Sequence, residues 1–372
     1  MKLLQICNDY SGSKVHFNLY KQLSDLGVYQ TVYTYYRDAV LTGKNSFDAD
    51  NINIIYRPIL NKWHRLLYHK KLWDVKKDLM LQVDCREYDL IHATTLFSDG
   101  PLALHLFEKY GVPYVVTVRN TDINEFLGFA PHTWSKGLKV LKHAKKIVFI
   151  SKAPMEKFCR HIAIKPILNN IKGKFVMQPN GIDAFWLDNI VNTVPEPNNN
   201  IIYVGRFDIN KNVIRLVKAV IELKSQFPEL CLHLVGGDGS NYGKIQSYTK
   251  QYPETIVYHG KIYDKKKLRD LYRQCSIFAM PSIHETFGLV YIEALSQHLA
   301  VIYTKNQGID GLLDERVGEK VNALSRKSIK DAIAKILNNR EKYLSCEVMD
   351  FQDFDWKRIA VKYIDIYNES LC

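Results

Sequence analysis

The chain alternates short, almost continuous apolar runs with longer stretches in which apolar residues recur every three or four positions. Continuous runs of this kind read as strands buried on both faces, and the periodic stretches as helices that cover them. In the first half, strands are predicted at residues 2–7 (KLLQIC), 31–36, 52–57, 89–94, 114–119, 146–151 and 174–179. Residues 188–200, DNIVNTVPEPNNN, break the pattern with two prolines and a run of asparagines and read as a linker. The pattern then restarts, with strands predicted at 200–205, 232–237, 255–260, 276–281 and 300–305. Two successive α/β units imply two doubly wound parallel sheets, expected to face each other across a cleft. The expected division is 1–187 for the first domain and 198–353 for the second. In such sheets ligands bind at the carboxyl ends of the strands, so the loops there are the ones to inspect.

Composition narrows the class. An apolar fraction of 47% and a charged fraction of 24% are those of a globular protein, and no apolar run approaches the ~20 residues that span a bilayer. The start, MKLLQICNDYSGSK, reads as a buried strand rather than a signal peptide. Seven cysteines, at 7, 85, 159, 231, 275, 346 and 372, include no CxxC pair, which suggests reduced thiols in the cytoplasm. The net charge of +12 is uneven: residues 1–190 carry 26 Lys and Arg against 17 Asp and Glu, the remainder 25 against 22. The basic half is expected to face something anionic, nucleic acid or a membrane surface.

Chemistry concentrates in SIFAMPSIHETFGLVYIEALSQH, residues 276–298. A buried strand ends at Pro281, and a helix is predicted from about Phe287 to Gln297. Glu285 precedes the helix, with Thr286 beside it, and Glu293 lies about a turn and a half inside. Gly288 opens the first turn, so the amides of Gly288, Leu289 and Val290 can face an anion. Carboxylates that accept from sugar hydroxyls, beside amides that hold phosphate, suit a sugar nucleotide. These residues resemble the retaining glycosyltransferases of family 4 (glycosyl transferases group 1), whose hallmark is Glu, seven residues, Glu. The resemblance implies the GT-B fold, Glu285 on the hydroxyls of the transferred sugar, and Glu293 on the ribose. It is specific in the second half of the chain and looser in the first.

In IIYVGRFDINKNVIRLVKA (201–219), Gly205 ends a strand and Arg206 and Lys211 precede a helix, as in the family's Gly-Arg…Lys-Asn pattern. Fixed cations are what a departing nucleoside diphosphate needs where no metal serves, and no metal or other cofactor is expected. Two Asp-x-Asp pairs, Asp48/Asp50 and Asp353/Asp355, end no strand at the expected cleft. Gly237, in the glycine-rich 232–240, is either a donor contact or a turn for close packing. Ile262 falls where the family borders the nucleobase, with UDP and GDP both open.

In the first half the resemblance places Gly12 where the family has a glycine pair, with Ser13 available as a helix cap. His92-Ala93 matches the family's His-Ala loop. TVRNTD (117–122) carries Arg119 where the family has His, and keeps Asp122. Arg119 cannot act as acid or base. It is left to stabilise phosphate charge, bind an acidic acceptor, or form a structural salt bridge with Asp122. The segment PNGIDAFW (179–186) closes the first domain in the family pattern, and a helix over 354–372 is implied to pack back on it.

Residues 61–80 interleave six Lys/Arg and two His with Trp63, Leu66, Leu67, Leu72, Trp73 and Leu79. A basic, aromatic helix there, including Lys70 and Lys71, suits an anionic membrane interface; Lys136, Lys139, Lys142 and Lys146 form a second basic stripe. The expected activity is transfer of a hexose-type sugar from a UDP- or GDP-sugar to a glycan or lipid-linked acceptor, with retention, in cell-surface polysaccharide biosynthesis. The expected location is the cytoplasm, peripheral at the inner face of the membrane. A nucleotide-sugar epimerase or phosphorylase is the enzymatic rival, although no lysine context for a phosphorylase cofactor is found. A basic nucleic-acid-binding protein would leave the Glu285/Glu293 spacing without a reason, and nucleic acid is not expected as a partner. No GxGxxG follows a strand, which argues against an NAD-dependent dehydrogenase.

Overall fold

The computed structural model describes residues 1–191, 193, 196–343 and 348–371. Cys346, Cys372 and part of the predicted linker therefore lie outside the described residues. The chain forms two compact units: residues 1–150 and 154–181 with Trp356 onward, and residues 151–153 with 182–355. The change of unit thus falls inside the PNGIDAFW segment, before the predicted linker.

In the amino-terminal unit, strands β1 (Lys2–Ile6), β2 (Tyr29–Tyr35), β3 (Ile52–Arg57), β4 (Leu90–Ala93), β5 (Tyr114–Val118), β6 (Lys146–Phe149) and β7 (Phe175–Met177) form one sheet. Every pairing is parallel, in the order β3-β2-β1-β4-β5-β6-β7. Helices α1 (Lys14–Asp25), α2 (Tyr68–Gln82), α3 (Gly100–Tyr110), α4 (Trp134–His143), α5 (Lys152–Arg160) and α6 (Leu168–Ile171) make the crossovers. Because both faces are covered, the strands are mostly apolar, and polar residues among them (Gln5, Gln30, Thr34, His92, Thr117) are buried as well. Leu4, Ile6, Ile91, Val116 and Ile147 point into one core, and Leu3, Val32, Leu90, Val115 and Val148 into the other. Ser13 caps α1, its hydroxyl accepting from the Val15 amide at 3.3 Å.

The carboxyl-terminal unit holds α7 (Ala184–Leu187), β8 (Asn200–Arg206), α8 (Val213–Leu223), β9 (Cys231–Gly237), α9 (Tyr242–Gln251), β10 (Ile256–Tyr258), α10 (Lys265–Tyr272), β11 (Ile277–Ala279), α11 (Leu289–Ser296), β12 (Ala300–Thr304), β13 (Gly318–Val321) and α12 (Arg326–Asn338). Its sheet is again all parallel, ordered β10-β9-β8-β11-β12-β13. The short, polar strand β13 is unpredicted; it pairs at the sheet edge, where half its residues meet solvent. The last helix, α13 (Trp356–Leu371), belongs to the amino-terminal unit. Its Trp356, Ile359, Tyr363 and Tyr367 complete the core under α1, and the Tyr367 hydroxyl lies 2.8 Å from Nδ1 of buried His92.

In each sheet the strand order reverses once, between β1 and β4 and between β8 and β11. Loops leaving neighbouring strands there run in opposite directions and open a crevice at the strand ends.

Candidate donor site and substrate-binding residues

The β8/β11 crevice brings predicted residues together. The loop after β8 carries Lys211 and the loop after β11 carries Glu285; Lys211 Nζ lies 2.8 Å from Glu285 Oε2. Glu285 is 8% exposed. Its carboxylate also accepts from the Ser282 hydroxyl at 3.3 Å and the Thr286 amide at 3.0 Å. A nearly buried carboxylate is tolerable only when paired and hydrogen-bonded in this way. Thr286 thus serves the site through its amide.

The two loops are laced together by asparagines, of which Asn212 stands in the family's Lys-Asn pattern and Asn210 carried no signal in the sequence. The Ile283 amide donates to Asn210 O at 2.7 Å, the His284 amide to Asn210 Oδ1 at 2.9 Å, and Asn210 Nδ2 to His284 O at 2.9 Å. Buried Asn212 donates through Nδ2 to Pro281 O at 2.9 Å and Ala323 O at 2.7 Å. From the far side, Gln307 Oε1 accepts from the Glu285 amide at 3.3 Å, and the Gly308 amide donates to Glu285 O at 3.1 Å. Side-chain amides match the donors and acceptors of irregular backbone, which explains asparagine and glutamine here. No periodicity marks them.

Helix α11 begins two residues later than predicted. Gly288 is its N-cap at φ +82, a conformation that disfavours a side chain, and a Cβ there would lie 2.5 Å from the Tyr291 ring. The first amide of this helix to donate to backbone is that of Tyr291, to Gly288 O at 2.9 Å. Leu289 and Val290 therefore present their amides at the helix start, where the helix dipole favours an anion. Arg206, at the end of β8, is largely exposed, with Nε 3.9 Å from Asp208 Oδ2, and is free to swing onto a ligand.

Glu293 lies on α11 near Asp183 and Lys265, two residues that sequence reading missed as neighbours. Burial first, then the Asp183 carboxylate, raises its pKa to about 7, while Lys265 works the other way. Lys265 is itself ion-paired with Asp183, which caps α7. Gly237 ends β9 opposite Arg206. The position that requires glycine is its neighbour: a Cβ on Gly236 would sit 1.9 Å from Gly205 O. Ile262 is partly buried beside Lys261, which pairs with Asp238.

In the amino-terminal unit, Gly12 ends a 3-10 turn (Tyr10–Gly12) after β1. Asp122 is 1% exposed, and its carboxylate accepts the amides of Leu96 and Phe97 at 3.0 Å and Arg119 at 2.8 Å. It is a loop anchor, and burial raises its pKa to about 6. The expected alternative of an Arg119–Asp122 side-chain salt bridge is not formed: Arg119 Nε donates to Thr94 O at 3.3 Å, and only its backbone amide reaches Asp122.

The two basic stretches differ from expectation. Residues 61–80 are not one helix: a 3-10 turn (Lys62–Arg65) precedes α2. Leu72, Val75 and Leu79 are buried, whereas Trp63, Leu66, Leu67 and Trp73 stand exposed. Lys71 turns inward to Ser98 Oγ at 3.0 Å, and burial lowers its pKa. The second stripe dissolves, since Lys146 starts β6 and pairs with Glu369, while Lys139 pairs with Glu108. Among the described residues, no cluster of three or more His, Cys, Asp or Glu could hold a metal, and no helix is long and apolar enough to cross a membrane.

Two all-parallel sheets, with a cation–carboxylate pair and an open helix start at the switch point of the second, define the class of doubly wound α/β proteins that bind ligands at their strand ends. The family follows from matches that together run almost the length of the chain. Residues 12–184 match the model of glycosyltransferase family 4, and residues 186–347 that of glycosyl transferases group 1. The chain belongs to this glycosyltransferase family, and it is a glycosyltransferase of GT-B type. It is similar to an uncharacterized glycosyltransferase of Methanocaldococcus jannaschii, 24% identical over 95% of this chain and 92% of the relative. Among solved structures, sucrose-phosphate synthase from Thermosynechococcus elongatus matches with TM-score 0.72 at 19% identity, over 99% of this chain and 98% of that one. HepE of Anabaena, solved in complex with UDP, matches with TM-score 0.67 at 16% identity, over 100% and 97%.

Proposed function

We propose that this glycosyltransferase moves a hexose-type sugar from a nucleoside-diphosphate sugar to a glycan or lipid-linked acceptor, with retention of anomeric configuration and without a metal, in cell-surface polysaccharide biosynthesis. The observation that carries the reading is the Lys211–Glu285 pair beside the unpaired amides of α11. A uracil base is favoured over guanine by the UDP complex of HepE. In this reading Arg206, Lys211 and the Leu289 and Val290 amides take the charge that develops on the leaving diphosphate. Glu285 accepts from hydroxyls of the transferred sugar and Glu293 from the ribose. The leaving phosphate takes the proton of the acceptor hydroxyl as the new glycosidic bond forms.

Support for work at an anionic membrane surface is the exposed set Trp63, Leu66, Leu67 and Trp73, with Lys70 and Lys77 each lying over the Trp73 ring. Aromatic rings flanked by cations suit the interface between headgroups and acyl chains. The test of the central reading is thermal stabilisation by UDP, GDP, CMP and NAD, followed by slow hydrolysis of a panel of nucleotide sugars. Stabilisation by UDP with hydrolysis of a UDP-sugar is expected. Stabilisation by NAD alone, or by none of the four, overturns it.

A further inference from the structure

The carboxyl ends of β1, β4 and β5 gather polar side chains whose hydrogen bonds are unevenly shared. Two of the carboxylates there are used up. Fully buried Asp99 accepts from the hydroxyls of Tyr35, Thr94 and Thr95, each at 2.9 Å; Asp122 accepts three backbone amides. The cations are not. Among the described residues the Arg119 guanidinium makes one hydrogen bond, to Thr94 O, and no ion pair. The Lys71 ammonium donates to Ser98 Oγ alone and lies 5.8 Å from the centre of the Tyr35 ring. Both cations are tethered to one loop, residues 94–98, that leaves β4 beside the switch point.

A guanidinium has five N–H donors in a planar fork that matches carboxylate and phosphate. Here one is committed, so the two-pronged edge is available. His16 and His92, which feel the Arg119 charge, are buried and held neutral, so neither competes as a cation. Asp9, the remaining carboxylate that interacts with Arg119, is not within ion-pair distance of it. The arrangement offers more donors than the protein's own acceptors fill, which is what an anionic ligand would complete.

We propose that Arg119, supported by Lys71, binds an oxyanion (phosphate or carboxylate) carried by the sugar substrate, so that this sheet end selects acidic sugars over neutral ones. The proposal rests on the glycosyltransferase reading above and names the substrate class. The oxyanion is carried by the acceptor, as a sugar phosphate or a uronate.

The test measures binding of glucose 6-phosphate, glucuronate and glucose to the full chain saturated with UDP, which keeps the probes from the diphosphate site. Wild type is expected to prefer an acidic probe over glucose by roughly tenfold to a hundredfold, the worth of a charge-assisted pair. Arg119→Gln should lose that preference, with Arg119→Lys and Lys71→Met each keeping part of it. All three variants should bind UDP as wild type does and melt with an unchanged amino-terminal transition. A second arm compares UDP-glucuronate with UDP-glucose: equal affinity is expected, and a preference there that Arg119→Gln removes overturns the assignment to the acceptor. Equal binding of all three sugars by wild type, or an intact preference in Arg119→Gln, overturns the proposal while leaving the donor reading standing. Failure of UDP to bind sinks the donor reading instead.

Discussion

Replacing Lys211 with Met removes one charge from a pair and leaves its partner nearly buried. Glu285 retains two other donors, the Ser282 hydroxyl and the Thr286 amide, but loses its counter-ion. Breaking a fully buried pair costs about 3–5 kcal/mol. The side chains here keep 25% and 10% of their surface, so we take about 2 kcal/mol after allowing for water around Lys211. In a unit of this size that corresponds to a fall in Tm of about 4–8 °C. Glu285→Gln alone should cost less, because the ammonium, whose side chain keeps a quarter of its surface, can turn to water. The double variant Lys211→Met/Glu285→Gln should be more stable than the sum of the singles by roughly 1–2 kcal/mol, the sign of direct coupling. Differential scanning calorimetry of the four proteins completes the cycle, and UDP titration of the same set reads function. Lys211→Met should weaken UDP about tenfold or more by the loss of a charge-assisted phosphate contact. A cycle with no coupling, or undiminished UDP affinity in Lys211→Met, would refute the pairing as the donor site's electrostatic centre.

Glu293 gives a pH signature. Its folded pKa of about 7 lies above the ordinary 4.5, so its protonated form is favoured by the fold. That contribution is full below about pH 4.5 and is lost as pH rises through 7. Relative to Glu293→Gln, wild type should lose Tm steadily from pH 5 to 8; a difference independent of pH, or opposite in sign, counts against it. Asp122→Ala strands the Leu96, Phe97 and Arg119 amides and should lower the amino-terminal transition by about 3 kcal/mol, since each unmet amide costs roughly 1–3; an unshifted melt would show that the loop repacks. Glu285→Ala should abolish transfer while UDP still binds, and EDTA should leave wild-type transfer intact; loss restored by manganese would contradict metal independence. Sedimentation with anionic vesicles should fall for Trp63→Ser/Trp73→Ser and for Lys70→Glu/Lys77→Glu, and equal sedimentation of all forms would argue against a membrane face.

Twelve of the thirteen strands are legible in the sequence because a parallel sheet covered on both faces makes most strand residues apolar. β13 is not, since an edge strand with one wet side, GEKV, carries no such signal. Likewise Glu285 and Lys211 are readable, for they flank helix starts in a recognisable spacing, but their contact across 74 residues is not. Asn210 and Gln307 are invisible for a different reason: they bind backbone, and any loop needs polar side chains somewhere; Asn212 is marked only by the family's Lys-Asn pattern. Lys71 misleads because amphipathic spacing treats every lysine between apolar residues as surface, whereas its long stem lets the ammonium fold inward to Ser98.

The same distinction explains why the halves of the chain differ in how much they reveal. In the carboxyl-terminal unit each proposed site residue is assigned to a ligand that all nucleotide-sugar chemistry shares, a diphosphate or a ribose, so its residue type is constrained by chemistry. In the amino-terminal unit the strand ends do two jobs at once. Asp122 and Asp99 spend their carboxylates on holding the loop after β4, leaving Arg119 and Lys71 to meet whatever binds. Loop-holding and ligand-binding draw on the same acidic and basic residue types, so composition alone cannot separate them. Only the hydrogen-bond accounting does: Asp99 and Asp122 spend their acceptors on the protein, while Arg119 and Lys71 each donate once and keep further donors open.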